Sequence, residues 1–394
     1  MPEVSVVMPC LNEELTLPIC IRKAQDTIRK LGLDGEVVVA DNGSTDRSVE
    51  IAESMGARVV HQPLKGYGNA YMAGFAGARG KYIVMGDSDD SYDFTDIGRF
   101  VEPLRQGHDF VMGTRLKGRI EPGAMPFLHR WLGNPVLTFI LNTLFRTGIS
   151  DSHCGMRAFT KDAYERMHLR TTGMEFASEM VIKASKAGLK ITEIPITLHK
   201  DKRNRRPHLR TWRDGWRHLR FMLMYSPAGT FLVPGLVLTV LGILLLAVLY
   251  AGPIRIGGST IDVHTMILGS LLTILGTQVI TTGLFAKVYS YERHFDSQDP
   301  LLRGLARFFN LERGLIFGLL LFLIGFGLDL SVAVRWIESG FGPLAALRPA
   351  IVGSTLMAVG AQVLFSSFFL SMLSVKVAEL REEPQVADGA RKAS

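Results

Sequence analysis

The chain reads as an α/β domain built on a Rossmann-like, mostly parallel sheet, followed by four transmembrane α-helices. Two observations point to the first part. Over the first 200 residues, short apolar runs alternate with longer stretches of helical period, the pattern of parallel strands joined by crossover helices. Polar clusters stand where those strands stop, which in such sheets is the ligand side. A third observation points to the membrane part: the 394 residues are 47% hydrophobic with mean hydropathy +0.20, and the excess lies beyond residue 227.

The expected strands are residues 4–8, 37–40, 58–61, 82–85 and 110–113, and the expected helices are 15–31, 46–55, 68–78 and 96–106. No internal repeat is evident. No basic stretch followed by a long apolar run precedes Val4, so no signal peptide is expected. Cys10, Cys20 and Cys154 form no Cys-x-x-Cys pair and leave an odd count, which favours reduced thiols in the cytosol.

Residues 228–250, 264–286 and 350–375 contain no charge, and 314–334 contains only Asp329. Each run reaches the roughly 20 residues that a helix needs to cross a hydrocarbon core. Lys287, Arg293, Arg303, Arg307 and Arg313 fall between the second and third spans, against Arg255 in the first loop and Arg335 and Arg348 in the third. Positive loops stay inside, so both termini are expected in the cytoplasm, and Asp329 near the outer interface. From Lys200 to Arg220 the net charge of +7 is concentrated in nine Lys or Arg against Asp201 and Asp214. Ahead of a span, such a run is attracted to anionic headgroups; nucleic acid is the weaker partner. Trp212, Trp216, Leu219 and Leu223 recur at helical spacing, giving a juxtamembrane amphipathic helix over 208–227. The expected domains are therefore 1–207, that helix, a membrane domain over 228–375, and a disordered cytosolic tail over 376–394.

The most informative cluster is Asp87-Ser88-Asp89-Asp90, which directly follows the apolar run of 82–85 and Gly86. Closely spaced acids at the end of a strand are hard oxygen ligands, suited to Mg²⁺ or Mn²⁺ bridging to a substrate diphosphate. Pro9, Asn12 and Glu13 after the first strand, and Asp41 to Asp46 after the second, would converge on the same crevice. Each has a plainer reading: Asp41 and Asp46 as helix caps, 87–90 as a turn, Gly66 and Gly68 as relief for a tight turn, Lys65 as a solvated cation. His153 and Cys154 are adjacent, not at zinc-ligand spacing, so no zinc site is expected.

These residues resemble family-two glycosyltransferases of GT-A fold, in the polyprenyl-phosphate branch that includes dolichol-phosphate mannose synthase. The matching pieces are Val6-Val7-Met8-Pro9-Cys10-Leu11-Asn12-Glu13, Ala40-Asp41-Asn42-Gly43-Ser44-Thr45-Asp46, Lys65-Gly66-Tyr67-Gly68-Asn69-Ala70, Asp87-Ser88-Asp89, Gly113-Thr114-Arg115, residues 151–159 and Glu175-Phe176-Ala177-Ser178-Glu179. The resemblance covers roughly 4–225. It implies that Pro9, Glu13 and Asp41 hold the nucleotide's base and ribose, within a donor set of Pro9, Asn12, Glu13, Asp41, Asp46, Lys65, Asp87 and Ser88. It implies that Asp87 and Asp89 meet metal and diphosphate, and that Arg205, among Arg203, Arg205 and Arg206, touches the donor diphosphate. Arg115, Arg130 and Asn134 fall where the family grips the acceptor phosphate. Two positions depart from the pattern: Ser91, at the third metal position, stands where Gln is usual, and Asn134 where Ser is usual.

The activity so implied moves a hexose from a UDP-glucose or GDP-mannose type donor to polyprenyl phosphate, with inversion and with Mg²⁺ or Mn²⁺ as cofactor. It would take place at the cell (plasma) membrane, with residues 122–146 at the interface. Homo-oligomerisation is left open. Two other readings compete. A processive polysaccharide synthase would carry Gln-x-x-Arg-Trp, but Phe127 and Val332 precede the two Arg-Trp pairs. A lipid transporter or flippase would need a polar pathway, and the spans are poor in ionisable residues.

Overall fold

The computed structural model describes residues 1–202, 211–256, 259–292, 311–342 and 346–374. Arg203, Arg205, Arg206, the loop cations Arg293, Arg303 and Arg307, and the tail over 376–394 lie outside the described residues. The chain divides into two compact units, Met1–Ser226 and Pro227–Ser394.

The first unit opens with β1 (Val4–Cys10), α1 (Leu17–Lys30), β2 (Gly35–Asp41), α2 (Ser48–Ser54), β3 (Arg58–His61), α3 (Tyr67–Gly77) and β4 (Tyr82–Met85). It continues with α4 (Ile97–Arg105), β5 (Phe110–Ile120), α5 (Asn134–Phe145), β6 (Arg157–Thr160), α6 (Lys161–Met167), α7 (Phe176–Lys186), β7 (Ile191–Leu198) and α8 (Thr211–Met224). The strands form one sheet in the order β3-β2-β1-β4-β6-β5-β7. Neighbours are parallel except β6, which runs antiparallel to both β4 and β5. In β1, Val4, Val6 and Met8 face one apolar layer with Leu17, Ile21 and Phe100, while Val7 faces the other with Phe75, Ile83 and Phe176. Burial on both faces makes the parallel strands continuous apolar runs, and the expected helices end within two residues of those observed.

The sequence reading stopped short of β6 and β7. β6 is only four residues long and opens on Arg157, which is fully buried. β7 carries Pro195, tolerated because β7 is an edge strand; Ile194, Ile196 and Leu198 alternate into the core. β5 also runs on past residue 113 to Ile120 through an irregular register between Thr114 and Arg119.

In the second unit, α9 (Val233–Tyr250) and α10 (Val263–Glu292) flank a small hairpin of β8 (Ile254–Ile256) and β9 (Ser259–Ile261). α11 (Leu311–Glu338) and α12 (Leu347–Ser374) follow. Four stretches of 23 to 28 residues, with mean hydropathy from 1.6 to 2.8, are long and apolar enough to cross a membrane. Asp329, on α11, accepts a hydrogen bond from the Ser354 hydroxyl at 3.0 Å.

Candidate active site

The loop after β4 sits at the centre of the sheet because β4 is buried between β1 and β6. Asp87 Oδ1 accepts from the hydroxyls of Tyr67 and Tyr71, each at 3.1 Å; the two tyrosines stand one turn apart on α3. Ser88 Oγ donates to the Pro9 carbonyl at 2.6 Å, tying this loop to the one after β1. Asp89 Oδ1 accepts from the Ser91 amide at 3.0 Å and the Ser91 hydroxyl at 2.5 Å. Asp90 has φ +61° and turns to Lys23 and Lys202, at 2.8 and 2.6 Å. Burial would raise its carboxyl, but the two ammonium groups outweigh that and hold it low.

Of the residues marked in the sequence, Pro9, Glu13, Lys65, Asp87, Ser88 and Asp89 line one cavity of about 550 Å³. Asn12, Asp41 and Asp46 are not among its lining; they brace the turn after β2 and tie it to the loop after β1. Asn12 Oδ1 accepts from the Thr45 amide at 2.7 Å and the Asp46 amide at 3.3 Å. Asp41 accepts from the Ser44 and Gly43 amides at 2.9 and 3.2 Å, and Asp46 from the Ser48 and Glu14 amides at 3.0 and 3.1 Å. Lys65 is exposed, and its Nζ donates to the carbonyls of Asn42 and Gly43 at 2.7 and 3.0 Å.

The three acceptor residues are not part of that lining. Arg115 is buried in a bidentate pair with Asp151, with Nε–Oδ2 and Nη2–Oδ1 both 2.7 Å. Desolvation opposes the charge on Arg115, but Asp151 outweighs it, raising the guanidinium and lowering its partner. Arg130 is exposed on the π-helical turn His129–Gly133, its guanidinium over the Trp131 ring at 5.3 Å. Asn134 opens α5 and its amide donates to Met125 Sδ at 3.6 Å. Around them Phe127, Leu128, Trp131, Leu132, Val136 and Phe139 are exposed.

Sequence reasoning missed the tyrosines that orient Asp87, as well as Arg213 and Arg217, which line the cavity from α8. It also missed a buried network beside it. Ser178 and His218 Nδ1 are 2.8 Å apart, Ser152 and His153 Nδ1 2.9 Å, Thr138 and Ser152 2.9 Å, and the two imidazoles meet edge to face at 4.5 Å. The one signal available was polar residues at helical spacing among apolar ones, as at Asp214, His218 and Phe221.

The donor chemistry at the acid pair suits a hard divalent cation: two carboxylates, Asp87 and Asp89, beside the Ser91 hydroxyl. Among the described residues no group of three or more His, Cys, Asp or Glu is placed to hold a metal. Such an ion would therefore draw further ligands from substrate phosphates, as Mg²⁺ commonly does.

Comparison with known proteins agrees with this architecture. Residues 5–167 match the model of glycosyl transferase family 2, and residues 284–374 that of the glycosyltransferase family 2 C-terminal transmembrane region. The low-salt glycan biosynthesis hexosyltransferase Agl6 of Haloferax volcanii is 42% identical over 94% of this chain and 89% of its own length. A dolichyl-phosphate hexose transferase of the same organism is 32% identical over 49% of this chain and 82% of its own. Among solved structures, glucosyl-3-phosphoglycerate synthase from Mycobacterium tuberculosis aligns with TM-score 0.46 and 23% identity, over 56% of this chain and 79% of that one. The chain belongs to glycosyltransferase family 2, with a GT-A-like catalytic domain and a transmembrane region. It is a membrane glycosyltransferase.

Proposed function

We propose that this protein transfers a hexose from a UDP-glucose or GDP-mannose type donor to the phosphate of a polyprenyl lipid, inverting the anomeric carbon. The observation that carries this reading is the pair Asp87 and Asp89 on the wall of a 550 Å³ cavity, in a chain that also holds four membrane-length helices. The names of two relatives, a hexosyltransferase of glycan biosynthesis and a dolichyl-phosphate hexose transferase, support the sugar and acceptor classes.

A Mg²⁺ or Mn²⁺ ion held by Asp87 and Asp89, with Ser91 beside them, would act as Lewis acid on the departing diphosphate. Tyr67 and Tyr71 fix the carboxylate of Asp87, and the bond from Ser88 to Pro9 keeps the two loops in register. Pro9 and Glu13 receive the nucleoside, beside a turn that Asn12, Asp41 and Asp46 hold through their hydrogen bonds and Lys65 braces, and Arg205 adds charge at the diphosphate. The acceptor is a phosphate monoester whose second pKa is about 6, so at neutral pH it is mostly dianionic and needs no strong general base. Positioning replaces deprotonation. Arg130, exposed beside Trp131, takes the larger share of the grip, with Asn134 next to it and Arg115 behind, its fork already shared with Asp151.

The long isoprenoid stays in the bilayer, since exposing it costs about 0.8 kcal/mol per CH₂. The exposed aromatic groups of residues 122–146 and α8 then meet the headgroup plane, with the catalytic domain and both termini on the cytoplasmic side of the cell membrane.

The test is a donor screen with full-length protein in nanodiscs, Mg²⁺ and a short polyprenyl phosphate, measuring nucleoside diphosphate release. Lipid-dependent release with one donor is expected, and Asp89→Ala should lower it roughly a hundredfold or more. Release that ignores the lipid removes the acceptor class, and near-normal turnover of Asp89→Ala removes the metal role.

A further inference from the structure

α8 presents three faces at helical period. Asp214, His218, Phe221 and Met222 are buried against the domain, and Trp212 and Trp216 are exposed on the opposite side. Arg213 and Arg217, four residues apart, occupy the flank between these faces and line the cavity that Asp87, Ser88 and Asp89 also line. We propose that Arg213 and Arg217 are donor-binding residues that grip the diphosphate of the sugar nucleotide. The assignment rests on the donor class proposed above.

Charge is the reason such residues are needed. Glu13, Asp87, Asp89 and Asp214 share the cavity wall, and a diphosphate entering among carboxylates is repelled unless cations answer it. Lys65, another cation on that wall, already donates to two backbone carbonyls. Arg213 and Arg217 are differently placed. Their guanidiniums stand 3.8 and 3.6 Å from Asp214 Oδ1, beyond hydrogen-bond length, and their side chains are 54% and 44% exposed. Asp214 lies buried between them, which offsets their mutual repulsion without consuming their donors. A guanidinium offers a planar fork that matches two phosphate oxygens and does not lose its charge. The position also suits the reaction: negative charge grows on the diphosphate as the glycosidic bond breaks, and cations already placed beside it stabilise that charge.

The experiment measures binding, not turnover. Full-length protein in nanodiscs with Mg²⁺ is titrated calorimetrically with UDP, GDP, UMP and GMP, using wild type, Arg213→Ala, Arg217→Ala, the double variant and Arg217→Lys. The double variant should lose about 10- to 100-fold in affinity for whichever diphosphate the wild type binds, while the matching monophosphate, which lacks the β-phosphate, changes much less. Arg217→Lys should recover part of the loss, since charge returns without the fork. Equal losses for mono- and diphosphate would reduce both arginines to supports of α8, and unchanged affinity would remove them from the site; either result overturns the assignment. Failure of the underlying donor reading appears elsewhere, as wild-type protein that binds neither UDP nor GDP.

Discussion

Asp87 shows how far a single side chain could be read in advance. Its type and its place after β4 marked it as a ligand for a cation or diphosphate, but the two phenols that fix one of its oxygens come from α3 and carry no such mark. Arg115 and Asp151 both stood in recognisable motifs. Their pairing spans 36 residues and could not be read from either. His218 was unmarked, and it carries a consequence for stability. Burial pushes it down to about 4, with Asp214 opposing and Arg157 assisting, and burial together with His218, Arg115 and Arg157 holds His153 well below the ordinary imidazole value as well. An unfolded imidazole titrates near 6.5. The folded value is the depressed one, so the unfolded chain binds more protons as pH falls below about 6.5, and stability declines from there toward pH 4. For His218 alone the loss by pH 4 is roughly 3 kcal/mol. His218→Gln keeps a partner for Ser178 but has no proton to gain, so its thermal midpoint should fall less than that of wild type between pH 7 and 4.5. Parallel curves would assign the acid sensitivity to other groups.

Among the elements, those that bury one continuous apolar surface were the easiest to anticipate. Most of the first five strands and the four spans announce themselves by largely apolar runs, whereas β6 hides behind Arg157 and β7 behind Pro195. The packing of the spans was invisible for a different reason: it depends on where glycines face one another. Gly235 and Gly242 of α9 approach Gly276 and Gly269 of α10, and Gly318 and Gly325 of α11 approach Gly360 and Gly353 of α12. The same seven-residue spacing recurs in both hairpins, a correspondence too sparse to register as a sequence repeat. In a bilayer, where lipid tails are as apolar as leucine, such close approach supplies much of the attraction between helices. A Cβ on Gly325 would meet the Gly353 carbonyl at 2.5 Å and the Met357 amide at 2.7 Å, both backbone atoms that cannot swing aside. Gly325→Leu should therefore lower the thermal midpoint of the detergent-solubilised protein, while Gly327→Leu, with nothing within 4 Å, should leave it in place. If both variants melt like wild type, the glycine contacts do not hold α11 to α12.

For the molecule as a whole, the decisive quantity is the side of the bilayer on which each segment lies, because a charged sugar nucleotide does not cross hydrocarbon. The catalytic domain must face the compartment that supplies the donor. The loop distribution of Lys and Arg argues for the cytoplasm: Lys287, Arg293, Arg303, Arg307 and Arg313 cluster between the second and third spans. Arg348 would then stand on the outer side, against the trend, and its environment accounts for it. It pairs with Asp262 at 2.6 Å, joining the starts of α12 and α10, so its charge is matched locally. Labelling with a membrane-impermeant maleimide reads this arrangement directly. Cys10, Cys20 and Cys154 are buried and form no disulfide, so the native background is low. Ser259→Cys, exposed on β9, should label in intact cells, whereas Ser297→Cys, between the second and third apolar runs of the sequence, should label only once the membrane is permeabilised. The opposite pattern would put the domain before the first span outside, away from any cytosolic donor, and the transfer reaction would have to be given up with it.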